Sequence, residues 1–311
     1  MINKASVRKP FFMKLWEQYP KIWKGLIDLG ILMKYKTLDI NKIPNKIVLP
    51  STTIIYVNSE ENRGRALLIS NGVTQKRLLH FWQHAVENYR PDTIIDIGVN
   101  YGECIFSAAY PAHTKIYGIE ANQNLLTYIN RSRDVHPNKS QITIVHAFAS
   151  DKDGEDKVFF VDNHWSGTSS ASYMPTHQMV EKVSIKSITV DSLFNKDMGK
   201  ETVLFKVDVE GYEAFVLKGM TSLFEKSASV LGFIEFNSEY FDKTGYNADD
   251  FFSFLTKYFT IFIYKENDEL IKAEHLKMED LHEMFGSDYI HTDFILATDG
   301  KAVELLNLTC K

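Results

Sequence analysis

From Thr93 onward the chain alternates short apolar, β-branched runs with stretches whose apolar residues recur every three to four positions. The first kind reads as strand and the second as helix, because side chains repeat every two residues in a strand and every 3.6 in a helix. This predicts strands over 93–98, 115–121, 142–150, 202–210, 229–237, 259–265 and 293–298, and helices over about 101–109, 123–134, 213–225 and 248–257. Between 151 and 194 the alternation pauses. There KVFFVD and VSIKSITVDSLF read as further strands, separated by the polar loop NHWSGTSSASYMPTH. Alternating strands and helices predict an α/β fold with a doubly wound, mostly parallel, Rossmann-like sheet that binds ligands at the carboxyl ends of its strands.

Upstream the pattern changes. TTIIYVNSEENRGRALLISNG (52–72) has two apolar runs around a polar, glycine-bearing turn and predicts a hairpin. TQKRLLHFWQHAVENY (74–89) predicts an amphipathic helix with Leu78, Leu79, Phe81, Trp82 and Val86 on its apolar side and Pro91 beyond its end. The division expected is a basic, aromatic helical extension over 1–50 and one domain over 51–311, with a cofactor half (93–155) and an acceptor half (156–300).

Charge sharpens this picture. Residues 1–36 hold eight Lys or Arg against Glu17 and Asp28, a net of +6, so the rest of the chain carries −11 of the overall −5. That balance argues against nucleic-acid binding, which needs a basic surface. The extension is expected to pack on its own domain or on a second subunit of a homodimer, with its lysines reaching outward. A peripheral contact with the inner membrane surface is the alternative. With two distant cysteines, Cys104 and Cys310, and no long apolar run, the expectation is a cytoplasmic protein without disulfides.

The chemistry gathers at strand ends. In TIIDIGVNYGECIFSAA the spacing Asp96-x-Gly98-x-Asn100-x-Gly102 makes a tight loop after a strand. A nicotinamide fingerprint would place glycine where Asn100 stands, and a pyrophosphate prefers bare backbone N–H groups to a nearby carboxylate. S-adenosylmethionine, cationic and free of phosphate, suits the loop better. The next strand ends in Glu120, placed to accept ribose hydroxyl hydrogens, with Ala121 and Asn122 beside it. The third ends in HAFASDKDG, where Phe148 and Ala149 would flank the adenine and Ser150 or Asp151 bond its amino group; His146 reads as a structural histidine. In LFKVDVEGYEAFVLKGM (204–220), Lys206, Asp208 and Glu210 would share one face of a strand and Phe205, Val207 and Val209 the other. Glu213 would sit in the first turn of the following helix.

Together these residues resemble the FkbM family of S-adenosylmethionine-dependent methyltransferases. The resemblance is carried by DIGVNYG, GIEANQ, AFASDKDGE, SGTSSAS, ITVDSLF and, most specifically, the K-x-D-x-E-G-x-E pattern of Lys206 to Glu213. It implies a class I methyltransferase fold, a seven-stranded sheet whose last strand is antiparallel, and methyl transfer, usually to a hydroxyl oxygen. Family members act on sugars and glycolipids, polysaccharides and macrolide-type natural products.

On this basis Asp96, Gly98, Asn100, Tyr101, Gly102, Glu120, Ala121, Asn122, Phe148, Ala149, Ser150 and Asp208 are expected to bind the cofactor. Asp208 or Glu210 would act as base, fixed by Lys206. His164, Trp165, Ser169, Ser170, Glu235 and Asn237 would bind the acceptor, while His291 reads as a turn residue. Asp191, Asp208 and Glu210 could converge on a metal, but the spacing is not that of a metal site and none is expected. A polyketide hydroxyl as acceptor, or a nicotinamide-dependent oxidoreductase, are the alternatives.

Overall fold

The computed structural model describes residues 19–163, 165–171, 180–194, 200–265, 268–273, 276–306 and 308–310. The strands, in chain order, are β1 (Lys46–Val48), β2 (Ile54–Tyr56), β3 (Thr93–Ile97), β4 (Lys115–Glu120), β5 (Ile142–His146), β6 (Phe148–Ala149), β7 (Asp156–Asp162), β8 (Val180–Ile188), β9 (Thr202–Val207), β10 (Ser229–Asn237), β11 (Thr260–Tyr264), β12 (Glu269–Ala273), β13 (His291–Ala297) and β14 (Thr309–Cys310). Nine of them form the main sheet, in the order β14-β12-β11-β13-β10-β9-β3-β4-β5. β13 runs antiparallel between β10 and β11.

Seven strands, from β5 to β11, reproduce the arrangement the resemblance implies. The sheet is wider than expected, because β12 pairs antiparallel with β11 and β14 pairs with β12. β6, β8 and β7 make a separate three-stranded sheet beside the cavity described below.

Both faces of the sheet are covered. On β9, Leu204 packs with Phe81, Trp82 and Ile94 on one side, and Val203, Phe205 and Val207 pack with Met220, Phe224 and Phe252 on the other. Burial on both faces explains why these strands read as continuous apolar runs.

Several expectations change, among them the single strand over 142–150, which divides into β5 in the main sheet and β6 in the three-stranded one. The 52–72 hairpin is not formed: Ile54–Tyr56 pairs back with Lys46–Val48, and Asn62–Ser70 is a helix. Glu61 starts that helix by accepting from the Arg63 and Gly64 N–H groups, so an apparent turn is an N-cap. Residues 101–109 form turns, with no regular helix. The carbonyls of Cys104, Ile105 and Phe106 accept from the hydroxyls of Ser107, Tyr110 and Thr53, which competes with helix propagation.

The 213–225 helix is split into Glu213–Lys218 and Thr221–Lys226. The Gly219 carbonyl accepts the Asp191 N–H at 2.9 Å, and the Asp191 carboxylate caps the second piece through the Ser222 and Leu223 N–H groups at 2.9 Å. Finally, the strand expected over 202–210 stops at Val207, so the period-two argument ends before Asp208.

The N-terminal helix, Pro20–Tyr35, packs on Asn62–Ser70 and buries Ile27 and Ile31. Lys34 Nζ donates to the Leu68 carbonyl at 2.6 Å and Arg65 pairs with Asp28, which fixes the helix to its own domain.

Candidate active site

The carboxyl ends of β3, β4, β9 and β10 open on one cavity of ≈ 610 Å³, within the range of small-molecule sites. β3 delivers the chain into a loop where Gly98, Asn100 and Gly102 all have positive φ, at 79°, 52° and 82°. A Cβ on Gly98 would stand 2.0 Å from the Asp208 carbonyl oxygen, so glycine alone lets this loop cross the end of β9.

Beneath the loop lies Lys206, almost fully buried. Its Nζ donates to the Gly98 carbonyl at 2.8 Å and stands 3.2 Å from Asp96 Oδ1 and 3.7 Å from Asp208 Oδ2. Burial favours the neutral amine, but the Asp96 and Asp208 carboxylates outweigh it and hold Lys206 above the usual lysine range. Burial pushes Asp96 upward, and Lys206 opposes that shift. Asp96 is fully buried and does not reach the cavity surface; it anchors Lys206 from below.

Glu120, at the end of β4, bridges two loops. One oxygen accepts the Asn100 N–H and the other the Asn122 N–H, both at 2.7 Å. An ionised carboxylate offers about four acceptor positions, so about two remain for a ligand facing it from the cavity. Burial raises its pKa, and those two backbone bonds act against the rise.

After Val207 the chain turns through Glu210 (φ 52°) and Gly211 (φ 92°). A Cβ on Gly211 would meet the Tyr240 carbonyl oxygen at 2.6 Å. The turn is tied from within: Glu213 Oε1 accepts the Val209 N–H at 3.2 Å and the Gly211 N–H at 3.1 Å. Glu213 therefore shapes the turn that presents Asp208 and Glu210. Burial pushes its carboxyl up to about 8, above its ordinary 4.5. A carboxyl with a raised folded-state pKa stabilises the fold at low pH and loses that contribution as pH rises through the raised value. Stability should thus fall between pH 4.5 and about 8, by up to ~1.4 kcal/mol per pH unit from this group. Urea unfolding of Glu213→Gln across that interval is expected to show a flatter profile than the parent.

Opposite this turn, Glu235 near the end of β10 accepts from His291 Nε2 at 2.8 Å. His291 is the first residue of β13 and lines the cavity, which corrects its reading as a turn residue. Carboxylate oxygens of Asp208, Glu210 and Glu235 lie within 4.8 Å of one another. Asp191, capping a helix elsewhere, is not among them. Three carboxylates at this separation could hold a cation, in a convergence that only the tertiary fold creates.

The loop of residues 165–169 lines another wall. The Ser166 N–H donates to Glu61 Oε1 and the Tyr101 hydroxyl to Glu61 Oε2, each at 2.9 Å, which joins this loop to the helix start and to the first strand's loop. Asp162 accepts the Trp165 N–H at 3.0 Å and the Thr168 hydroxyl at 2.6 Å. The Trp165 ring meets Trp23 edge-on at 5.4 Å. Arg63, beside Trp165, forms a paired contact to both Glu103 oxygens at 2.8 Å.

Of the predicted residues, Gly98, Asn100, Glu120, Ala121, Phe148, Ala149, Lys206, Asp208, Glu210, Trp165, Ser169 and Glu235 line this cavity together. Others lie behind it. The Tyr101 side chain is in the core on Glu61, Gly102 shapes the loop, and Asn122 caps the Gln123–Leu125 turn. Ser150 bonds Asp151, Ser170 donates to the Glu210 carbonyl, and Asn237 caps the Ser238–Lys243 helix. His146 meets the Ala121 carbonyl away from the cavity, and His164 lies outside the described residues. Sequence reasoning missed Trp23, Ile27, Arg63, Ile69, Val73, Leu78 and Tyr240, which also line the site. No motif marks them; they arrive through packing of helices on one end of the sheet.

Residues 96–268 match the methyltransferase FkbM domain, more than half of the 311-residue chain. The chain belongs to the FkbM methyltransferase family. No curated protein matches it in sequence. Similar solved structures include a putative O-methyltransferase from Klebsiella pneumoniae, 11% identical, covering 72% of this chain and 80% of that one with a TM-score of 0.39. An O-methyltransferase from Bacillus cereus in complex with SAH is 10% identical, with 72% and 81% covered and a TM-score of 0.38. The O-methyltransferase TomG from Streptomyces achromogenes, involved in tomaymycin synthesis and in complex with SAM, is 10% identical, with 93% and 95% covered and a TM-score of 0.39.

The cofactor of this FkbM methyltransferase is S-adenosyl-L-methionine. The donor set fits it. The walls carry Glu120, Asp208, Glu210 and Glu235, while the lining cations Lys206 and Arg63 are ion-paired. Such a surface favours a sulfonium and an ammonium over a pyrophosphate. The oxidoreductase alternative is accordingly set aside. Among the described residues no helix is long and apolar enough to cross a membrane.

Proposed function

We propose that this methyltransferase acts on a hydroxyl oxygen, most simply that of a sugar, glycan or glycolipid. The observation that carries this reading is the convergence of Asp208, Glu210 and Glu235 at the end of the cavity formed by β9 and β10. Carboxylates grouped there can take a hydroxyl proton and accept bonds from neighbouring hydroxyls.

S-adenosylmethionine supplies an already activated methyl group, so much of the rate can come from alignment. In our reading Glu120 accepts from the ribose hydroxyls, Phe148 and Ala149 flank the adenine, and the backbone around Gly98 and Asn100 lies along the methionine part. Lys206 holds the Gly98 loop and the Asp208 carboxylate in one register. Asp208 or Glu210 receives the acceptor proton. Glu235, steadied by His291, and Trp165 orient the acceptor.

The site also has an apolar end, lined by Trp23, Ile27, Ile69, Val73 and Leu78. That lining supports an acceptor with an apolar part beside its hydroxyls, and so favours a glycolipid among the three classes. The buried free thiol of Cys104 supports a cytoplasmic location.

Incubation with isotopically labelled S-adenosylmethionine and cell extract should yield a labelled, alkali-stable ether on a hydroxylated product. Label on nitrogen, sulfur or carboxyl oxygen would reject the hydroxyl reading. Asp208→Asn and Glu210→Gln should each lower turnover by 10²- to 10⁴-fold if that residue is the base, an order-of-magnitude range for general-base loss. Cofactor affinity, titrated separately, should change less than turnover. Normal turnover in both variants would remove these residues from the base role.

A further inference from the structure

The N-terminal helix has two apolar faces. The inner one buries Ile27 and Ile31, and Trp23 and Ile27 line the cavity. On the outer one Tyr19, Ile22, Leu26, Leu29 and Met33 recur at steps of three and four, and each is between 49% and 66% exposed. A Cβ built on Gly25, on the same side, would meet nothing within 4 Å. The helix cannot turn this stripe inward, because Lys34 and Asp28 tie it to the Asn62–Ser70 helix.

A contiguous aliphatic stripe of this kind on a single surface helix marks a contact site. Charge selects the occupant. The described residues 20–36 hold Lys21, Lys24, Lys34 and Lys36 against Asp28, a net of +3, and Lys21 and Lys36 are exposed at the two ends of the helix. Two copies docked through this face would bring +3 against +3, whereas an anionic surface is attracted to it. Apolar residues on one side with lysines around them is the pattern of a helix lying in a lipid interface.

We propose that this face docks on an anionic lipid surface, with Ile22, Leu26, Leu29 and Met33 entering the headgroup boundary. Trp23 and Ile27 then form a thin wall between that surface and the apolar end of the cavity. The docking does not depend on which acceptor is methylated.

The test is co-sedimentation of the full chain with vesicles of phosphatidylcholine alone or mixed with phosphatidylglycerol. Binding is expected to the mixed vesicles and to weaken as salt is raised. Leu26→Glu combined with Leu29→Glu should weaken it by about tenfold or more, since two aliphatic side chains leave the interface. These residues face solvent, so the variant should keep its fold and its S-adenosylmethionine affinity, both measured alongside. Equal sedimentation of variant and parent, or no binding to the mixed vesicles, would overturn the proposal. So would a dimer in sedimentation equilibrium that the same variant dissociates, which would assign the face to a second copy of the chain.

Discussion

Replacing Lys206 with methionine is expected to lower unfolding free energy by ~3–5 kcal/mol, the usual cost of removing one partner of a buried ion pair. Methionine fills the space of the stem but leaves Asp96 fully buried without a cation, and it frees the Gly98 carbonyl from its 2.8 Å bond. Asp96 then either takes up a proton or stays charged in an apolar setting, and either outcome destabilises the fold. The loop from Gly98 to Gly102 loses its tether, so cofactor binding should weaken as well.

The decisive comparison is a double-mutant cycle. Asp96→Asn together with Lys206→Met removes both charges and should recover much of the stability lost in the single Lys206→Met variant. Urea unfolding of the four proteins measures this coupling. Additive losses would mean that Lys206 and Asp96 do not act as a pair, and would leave Asp208 as the main partner of Lys206.

Glu120→Gln is expected to weaken S-adenosylmethionine and S-adenosylhomocysteine together, in a protein that still folds but with lower stability. Each hydrogen bond from a ribose hydroxyl to the carboxylate contributes ~1.5–3 kcal/mol, so losing one corresponds to roughly ten- to a hundredfold in Kd. The amide adds a second penalty. Its NH₂ would face the N–H of Asn100 or Asn122, each of which now donates at 2.7 Å. Calorimetric titration gives the affinity, and kinetics at saturating cofactor separate it from turnover. The prediction is a raised KM for the cofactor with a smaller change in kcat, the mark of a group that binds ground state and transition state alike. An unchanged affinity would dismiss the ribose assignment.

The strands were legible because burial on both faces leaves few alternatives. β3 and β10 are buried at nearly every position, and their bounds match the reading within one residue. The motif residues were legible for a related reason. Gly98 and Gly211 stand where a Cβ would strike a backbone carbonyl, so local chemistry and sequence are tightly bound there. Glu61 shows the opposite case. Its carboxylate starts a helix and receives Ser166 and Tyr101, and nothing in the neighbouring residues distinguishes that role from a turn.

The four charges of LFKVDVEGYEAF also separated only in three dimensions. Read as one period, Lys206, Asp208 and Glu210 formed a single charged strand face, with Glu213 in the helix that follows. In the fold Lys206 tethers the first loop, Glu213 braces the turn, and Asp208 and Glu210 reach the cavity. The difference lies in the end of the strand at Val207, which stops the period before Asp208, and in the positive φ of Glu210 and Gly211, which turn the chain beyond it.

By itself the sequence determined the positions of the central strands along the chain, the loop after β3, the acid ending β4 and the family. These depend on residues close together in the chain, where period and turn chemistry act directly. Only the tertiary structure decided that Glu235 and His291 meet Asp208 and Glu210, that Asp191 does not, and that the N-terminal helix walls the cavity while exposing an apolar face. Those facts depend on which strand ends and helices become neighbours. That is set by packing over the whole sheet, whose partners lie far apart in the chain and leave no local pattern to read.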